Sequence, residues 1–300
     1  MDPGRRRALG ALAGLAVAGT AHAREAMHAR AIPASGEKLP VIGLGTWQTF
    51  DVGGDAAARA ALKEVLSSFF AGGGRVVDSS PMYGSSEAVV GDLCGELGIC
   101  EPLFMASKIY TQGREEGVRG LQRSSERMRA GRMDLMQVHN LLDVEVHTPT
   151  LLEAKAAKRV RYVGITHYAS HAYPEVERLL KTKRYDFLQI NYSLGEPGSD
   201  RRVLPLAQEL GVAVIANRPF AEGAMFRRAR GKALPAWAAE LGIASWAQYF
   251  LKWIVSHPAV TCAIPGTGKP EHMADNLNAG FGPLPNAGER RRMSQYYDAL

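Results

Sequence analysis

The stretch VVDSSPMYGSSEAVVG, at residues 76–91, contains a strand, a turn and the start of a helix. Its first residues are β-branched and apolar, which predicts a buried strand that ends at Asp78. Tyr83 and a glycine follow in the turn, and a helix-like segment comes next. A charged acid and a tyrosine therefore stand where a buried strand meets a loop. Residues elsewhere in the chain indicate why polar side chains occur at this position.

Short apolar runs like this one recur along the chain at intervals of roughly 25 to 35 residues, the size of a βα unit. Helix-like segments with apolar residues at three- and four-residue spacing lie between them, for example 56–70 and 204–210. Gly211 is a candidate cap for the second of these. The last interval is longer and contains a helical segment at 234–241 before another at 244–255. The eight predicted strands are 41–44, 75–78, 103–107, 134–139, 161–166, 186–191, 212–217 and 261–264.

The predicted strands are hydrophobic along their whole length rather than at alternate positions, which indicates a parallel sheet buried on both faces. Eight βα units predict an α/β fold, a single-domain (β/α)8 TIM barrel over residues 38–300. An open doubly wound sheet would normally carry a G-x-G-x-x-G turn after its first strand, and the third glycine is missing at residues 43–48. No linker or change of composition follows residue 35, so the strands belong to one domain.

Residues 1–23 have the features of an export signal that is removed from the mature protein. Three arginines at 5–7 precede a short Ala- and Gly-rich apolar stretch, which is too short to span a bilayer, and Ala21-His22-Ala23 fits a cleavage site. The paired arginines are typical of a twin-arginine signal, which exports folded proteins, so we expect a periplasmic or exported protein. An ordinary secretory signal and a disordered basic tail are the alternatives. Residues 24–37 form a lead-in, and we expect no membrane-spanning segment after signal removal.

The composition is that of a soluble globular chain, with 46% hydrophobic and 22% charged residues. The formal net charge is +6, and no dense basic run accompanies it, so we expect no nucleic-acid partner. The cysteines Cys94, Cys100 and Cys262 are too few for a disulfide framework. We expect buried free thiols, although Cys94 and Cys100 could pair if the local geometry allowed it. None has metal-ligand spacing with another, and no metal is expected.

The active site of a (β/α)8 barrel lies at the carboxyl ends of its strands. Asp78, Lys108 and His139 stand at or next to the ends of three successive predicted strands, and Tyr83 lies in the loop after the first. An unperturbed tyrosine has a pKa of about 10, which the ammonium group of Lys108 would lower by favouring the phenolate. Asp78 would pair with the lysine, and a neutral His139 would hydrogen-bond a carbonyl oxygen. Together these residues could protonate a carbonyl group as hydride reaches its carbon.

Each of these residues also has a structural explanation when it is taken alone. Asp78 could cap an element, and Lys108 could extend its charge to solvent. His139 and Tyr83 could be ordinary core side chains. Their positions near the ends of consecutive strands favour a shared chemical role.

Seven stretches make the chain resemble the aldo-keto reductase family over about residues 38–280: VIGLGTWQ, VVDSSPMYGSSEAVVG, FMASK, DLMQVH, VGITHY, LQINYS and IPGTGKPEHMADN. The most specific is the D-x(4)-Y-G-x-x-E-x-x-x-G spacing that begins at Asp78, which resembles the family's catalytic motif. The resemblance implies an NAD(P)H-dependent oxidoreductase that reduces aldehyde or ketone carbonyls, or catalyses the reverse reaction. It implies Tyr83 as general acid and base in a tetrad with Asp78, Lys108 and His139. A small carbonyl substrate would contact Trp47, Tyr83 and His139.

The resemblance also implies a nicotinamide cofactor extended across the mouth of the barrel. Thr166, His167 and Gln189 would bind its carboxamide, and residues 266–276 would bind its adenosine end. Phe226 and Trp237, in the loop at 221–240, are candidates to shape the substrate pocket. The cofactor-binding residues that we predict are Thr46, Trp47, Asp78, Thr166, His167, Gln189, Arg218, Pro265, Gly266, Thr267, Gly268, His272, Asp275 and Asn276.

Two regions depart from the family's pattern. Asn217 stands where many members have a tyrosine that stacks on the nicotinamide ring, and the adjacent Arg218 is either a contact of the cofactor phosphate or a surface charge. Gly266 and His272 stand where many members have the lysine and arginine that bind the 2′-phosphate of NADP. Lys269 could supply one charge, and a phosphate at a helix N-terminus is physically reasonable there. We therefore expect NADP(H) rather than NAD(H).

Three other functions fit parts of the sequence. A metal-dependent barrel hydrolase would need clustered ligands such as an early H-x-H pair, which the sequence lacks. A Schiff-base lyase could use Lys108 as its nucleophile, but the acid and tyrosine fit hydride chemistry better. A non-catalytic barrel that binds a nicotinamide nucleotide as a sensor or regulatory subunit is the main alternative, and the intact tetrad argues against it.

Overall fold

The computed structural model describes residues 26–300, so the predicted signal at residues 1–23 lies outside the described residues. Residues 26–300 form an eight-stranded parallel sheet that is nearly closed into a (β/α)8 barrel, as predicted. The strands follow one another in chain order, and a bridge between Ile42 and Ala263 joins the two ends of the sheet. In this part of the chain, no helix is long and apolar enough to cross a membrane.

The elements are numbered in chain order. A short antiparallel hairpin, β1 (Ala29–Ala31) and β2 (Lys38–Pro40), precedes the barrel. The barrel strands are β3 (Leu44–Gly45), β4 (Val76–Asp78), β5 (Phe104–Ile109), β6 (Met133–His139), β7 (Val160–His167), β8 (Phe187–Asn191), β9 (Ala213–Asn217) and β10 (Val260–Ala263). The helices are α1 (Ala56–Ala71), α2 (Ser86–Leu97), α3 (Arg114–Arg127), α4 (Val144–Ala156), α5 (Tyr173–Leu180), α6 (Val203–Glu209), α7 (Ala224–Arg228), α8 (Trp246–Val255), α9 (Pro270–Asn278) and α10 (Ala287–Asp298).

All eight predicted strands are present, and the first is shorter than expected. Only Leu44–Gly45 is regular strand, yet backbone hydrogen bonds of Val41 and Gly43 with Ala263 still attach the predicted segment to β10. The predicted helical segment at 234–241 is a 3₁₀ turn, Ala236–Leu241. Gly211 follows α6 in the left-handed conformation, with a φ of 67°, which ends the helix as the sequence indicated.

The hairpin β1–β2, which was not predicted from the sequence, covers the amino-terminal end of the barrel. Ile32 and Leu39 are buried in one apolar cluster with residues at the starts of the barrel strands, such as Phe187. The hydroxyl of Tyr162 donates to Glu37 in the hairpin turn, over a distance of 2.7 Å. Strands of three residues are too short to show a periodicity, so only their packing against the barrel reveals them.

Cys94 and Cys100 form a disulfide bond, which corrects the expectation that all three cysteines are free. Cys94 lies near the end of α2, and Gly98 ends that helix in the left-handed conformation, with a φ of 67°. Glycine adopts this conformation without steric cost, so the chain can turn back on itself at once. The turn brings the Cα atoms of the two cysteines to 4.9 Å from each other. Cys262 is a buried free thiol, as predicted.

Candidate active site

The parallel register of the barrel lays the carboxyl ends of β4, β5 and β6 side by side. Asp78 is the last residue of β4, Lys108 is the penultimate residue of β5, and His139 is the last residue of β6. Tyr83 follows in the loop after β4. Asp78, Tyr83 and His139 line a cavity of about 750 Å³ at this end of the barrel, and Lys108 is buried against them. The structure therefore brings together the four residues that the sequence predicted as a tetrad.

Asp78 and Lys108 form a buried ion pair. The Nζ atom of Lys108 donates to Oδ2 of Asp78 over 2.7 Å and to the backbone oxygen of Ser79 over 2.7 Å. The other carboxylate oxygen of Asp78 accepts from Nε2 of Gln189 at 2.8 Å and from Nε2 of Gln137 at 3.4 Å. A buried charge pair is tolerated when its geometry is good and its remaining polar atoms are satisfied. This network meets both conditions.

The pKa values of Lys108 and Tyr83 depend on each other. Burial acts to lower the pKa of the Lys108 ammonium group, but Asp78 and Tyr83 outweigh it and raise this pKa above its ordinary value. Burial raises the pKa of Tyr83, and the nearby Lys108 opposes this effect only in part. The expectation of a lowered tyrosine pKa was therefore wrong in its net direction, because it left out burial. Tyr83 is protonated at neutral pH and can donate its proton.

His139 is a neutral histidine, as predicted. Burial, followed by the charges of Lys108 and His167, lowers the pKa of His139 to about 2. Its ring meets the rings of Tyr83 and Tyr110 edge to face, with centroid distances of 5.8 Å and 5.1 Å. Its Nδ1 atom lies 2.9 Å from the hydroxyl of Ser80, a buried residue that the sequence analysis did not select.

The predicted cofactor-binding residues divide into two groups. Those that line the cavity are Thr46, Trp47, Asp78, Thr166, Gln189, Arg218 and Gly266. The others lie beside it or on the loop and helix after β10: His167, Pro265, Thr267, Gly268, His272, Asp275 and Asn276. Gln189 accepts from the hydroxyl of Thr166 at 3.1 Å while it donates to Asp78, so its amide connects the predicted carboxamide site to the tetrad.

The loop after β10 passes close to β3 before it enters α9. A Cβ atom at Gly266 would lie 3.0 Å from the backbone oxygen of Gly45, a tight contact that a larger residue could relieve only by a small shift of the backbone. Lys269 and His272 are exposed at the start of α9, and Thr267 accepts from the backbone N–H of Lys269. These two side chains are free to face a phosphate from solvent.

Asp275 connects α9 to α8, and both of its carboxylate oxygens are engaged there. They accept from Ser245 at 2.7 Å and from Gln248 at 2.6 Å. The neighbouring Asn276 is buried. Asp275 and Asn276, which were predicted to bind the adenosine end of the cofactor, therefore have packing roles as well.

Arg218 is engaged by two carboxylates at the rim of the cavity. It pairs with Glu196 at 2.8 Å and with Glu222, and its backbone has a φ of 51°, in the left-handed region. A cofactor phosphate would have to compete with these ion pairs.

Asn217, which precedes Arg218 in the sequence, also lines the cavity. The Oδ1 atom of Asn217 is buried without a partner among the residues that the structure describes.

Large exposed hydrophobic side chains gather at the mouth of the cavity. Phe226 lines it as expected, whereas Trp237 packs near Tyr249 and Tyr296 instead. Those that are most exposed among residues 26–300 all line this cavity: Trp47, Met82, Tyr110, Tyr168 and Phe226. Met82, Tyr110 and Tyr168 were not predicted, although Met82 and Tyr168 lie within the quoted motifs and Tyr110 lies two residues after one of them.

Comparison with known proteins identifies the relatives of this chain. A family model described as the aldo/keto reductase family matches residues 41–288. The methylglyoxal reductase YeaE of Escherichia coli (strain K12) is 28% identical over 258 residues, which cover 83% of this chain and 89% of that protein. An aldo/keto reductase from Klebsiella pneumoniae, in complex with NADP and acetate, is 24% identical and has a TM-score of 0.74, with 87% of this chain and 93% of that chain covered. The holo form of the aldo-keto reductase AKR11C1 from Bacillus halodurans is 18% identical, with a TM-score of 0.70 and coverages of 90% and 96%. The two solved structures support the barrel fold.

Replacing Asp78 with asparagine would leave the buried Lys108 ammonium without its ion-pair partner. We expect Asp78→Asn to lower the free energy of unfolding by about 3–5 kcal/mol, the range for one member of a buried pair. Urea denaturation measures the change. The control is Asp92→Asn, which removes the charge of a partly exposed carboxylate that pairs with Arg59 and Arg129 and should cost about 1 kcal/mol. Equal losses in the two variants would contradict the role of Asp78.

Proposed function

The chain belongs to the aldo/keto reductase family and is an NAD(P)-dependent oxidoreductase, and from this premise we propose that Tyr83 is its general acid and base. In the direction of reduction, hydride adds to the carbonyl carbon of a small aldehyde or ketone, and Tyr83 protonates the oxygen. The observation that carries the proposal is the position of Lys108. Its Nζ atom lies 2.7 Å from Asp78 and 5.0 Å from the centre of the Tyr83 ring. A charged lysine is thus fixed beside the phenol.

The residues around the cavity fit a nicotinamide group. The unpartnered Oδ1 atom of Asn217 is a buried acceptor in the cavity wall, and a carboxamide N–H is a suitable donor for it. Thr166 and Gln189 line the same cavity and can orient such a carboxamide. When bound, the reduced nicotinamide supplies the hydride.

The chain's own residues supply the proton and stabilise the charge that develops. Tyr83 is protonated at neutral pH and transfers its phenolic proton to the carbonyl oxygen. Lys108 stabilises the phenolate that remains, and Asp78 keeps Lys108 charged and in place. Neutral His139 donates a hydrogen bond to the same carbonyl oxygen. In the reverse direction the phenolate accepts the proton of an alcohol.

We propose NADP(H) as the preferred cofactor. The exposed basic side chains of Lys269 and His272 at the start of α9 could contact a 2′-phosphate there. The Klebsiella relative with the same fold binds NADP. The ion pairs of Arg218 make that residue a weaker candidate for a phosphate contact.

Tyr83→Phe should strongly reduce turnover while it leaves cofactor binding intact, because the variant loses only the transferable proton. We expect kcat to fall by about 10²–10⁴-fold, the usual contribution of general acid catalysis. The measurements are tryptophan fluorescence during titration with NADPH and NADH, and NADPH oxidation with a reactive aldehyde. Tyr185→Phe, which removes a buried phenol hydroxyl bonded to Thr148, is the matched control. A variant with normal turnover would exclude Tyr83 as the acid, and tighter binding of NADH would exclude the NADP(H) preference.

We also propose that the substrate is a neutral carbonyl compound with an aromatic or extended apolar body. The exposed rings of Trp47, Tyr110, Tyr168 and Phe226 surround the mouth, and exposed apolar patches of this kind mark binding sites. The charged residues that line the cavity are paired: Asp78 with Lys108, and Arg218 with Glu222. No unpaired charge among the described lining residues is therefore available for a charged substrate.

Naphthaldehyde should be a better substrate than methylglyoxal or carboxybenzaldehyde. Burial of the second ring against the aromatic rim should raise kcat/KM by about tenfold or more over methylglyoxal. Tyr168→Ala should reduce this advantage and leave methylglyoxal turnover nearly unchanged, so the small substrate is the internal control. Equal values of kcat/KM for the three compounds would refute the substrate class without affecting the assignment of the reductase.

We propose further that the protein works in the periplasm or outside the cell. The signal-like residues 1–23 support this location, and so does the Cys94–Cys100 disulfide, because such bonds persist in oxidising compartments. Free NADPH is not expected there. A twin-arginine route would export the enzyme folded, with its cofactor bound.

Replacing Arg5, Arg6 and Arg7 with lysine keeps the charge of the signal and removes its arginine pair. We expect this variant to stay in the cytoplasm with three titratable thiols after denaturation, whereas the exported protein should show only the thiol of Cys262. Alkylation in intact cells, followed by mass spectrometry, measures both states. Arg24→Lys is the control. Normal export of the triple variant would exclude the twin-arginine route.

A further inference from the structure

We propose that Ser80 is a positioning residue that fixes the tautomer of His139, so that the N–H of its ring lies on Nε2. The inference rests on the proposed carbonyl reduction, in which His139 must donate a hydrogen bond. Ser80 follows β4 two residues after Asp78 and is fully buried. Its hydroxyl lies 2.9 Å from Nδ1 of His139.

A neutral imidazole has one donor nitrogen and one acceptor nitrogen, and the partner of one decides the role of the other. Burial and nearby positive charge keep His139 neutral. If Nδ1 carried the proton, Nε2 would be an acceptor and would repel a carbonyl oxygen. The ring can therefore assist carbonyl reduction in one of its two tautomers only.

The surroundings of Ser80 favour donation from its hydroxyl to Nδ1. A hydroxyl group has a single proton, and the backbone N–H of Met82 already approaches the oxygen of Ser80 at 3.4 Å. Among residues 26–300, Nδ1 of His139 is the acceptor within reach of that proton. The lone pair of Nδ1 receives it, which places the N–H of the ring on Nε2.

The position of Nε2 agrees with this assignment. His139 lines the cavity, and within the described part of the chain Nε2 has no hydrogen-bond partner. The rings of Tyr83 and Tyr110 contact the imidazole and limit its rotation. The Nε2–H group is thus left for a ligand oxygen in the cavity, next to the Tyr83 phenol.

The direct test is the tautomer itself. Two-bond ¹H–¹⁵N correlation spectra of the full chain, labelled on histidine, distinguish the two nitrogens, and His139→Gln assigns the signal among the eight histidines. We expect the Nε2–H form in the native protein and in Ser80→Thr, and a shift toward the Nδ1–H form in Ser80→Ala. Ser199→Ala removes another buried serine hydroxyl, bonded to the backbone of Asn191, and should leave the His139 signal unchanged. A native Nδ1–H form, or an unchanged spectrum in Ser80→Ala, would overturn the proposal.

Kinetic measurements distinguish a positioning role of Ser80 from a role in packing alone. Ser80→Ala should lower kcat by about tenfold, the effect of one lost hydrogen bond, with little change in the KM for NADPH. It should have no further effect in a His139→Gln background, because the two residues act as a unit. Additive losses would assign Ser80 a structural role instead. If the protein reduced no carbonyl compound, the spectra would still decide the tautomer, so the two proposals fail separately.

Discussion

The buried ion pair between Asp78 and Lys108 is the constraint on which the site depends. A charge pair removed from water is stable only if its other polar atoms are satisfied, and here the barrel itself satisfies them. Gln137 and Gln189 donate to the carboxylate, and the backbone of Ser79 accepts from the ammonium group. Asp78 lies on β4, and the donors to its carboxylate come from β5, β6 and β8, so one carboxylate joins four of the eight barrel strands. The position of Lys108 beside Tyr83 follows from this network.

The two ends of the barrel differ in the side chains that they contain. At the amino-terminal end, apolar side chains and the β1–β2 hairpin form a closed cluster that contains Ile32, Leu39 and Tyr162. At the carboxyl end, polar residues surround an open cavity, and the tetrad lies at its inner end. Parallel strands produce this division, because every strand begins in the first region and ends in the second. The apolar cluster that stabilises the barrel and the residues of the candidate site therefore lie at opposite ends of the fold.

Much of this fold could be predicted because continuous apolar runs at βα spacing have few other solutions. The tetrad could be predicted because parallel strands bring their carboxyl ends to one edge of the sheet.

The hairpin was missed because three-residue strands carry no periodic signal, and the Cys94–Cys100 bond was missed because it depends on the left-handed turn at Gly98. Ser80 was missed because its hydrogen bond with His139 joins residues far apart in the chain, and spacing along the chain does not show such a contact. The direction of the pKa shift of Tyr83 depends on how deeply its side chain is buried, which the sequence does not show.

The hairpin has a consequence for how the folded molecule can be attached to its surroundings. The backbone N–H of His28 donates to the backbone oxygen of Gly280. The chain then enters the barrel through the hairpin, at the end away from the cavity mouth. Any tag, anchor or carrier joined ahead of Ala26 is thereby connected through the closed end. Because the cavity mouth lies at the opposite end of the barrel, substrates could enter and leave without passing the point of attachment.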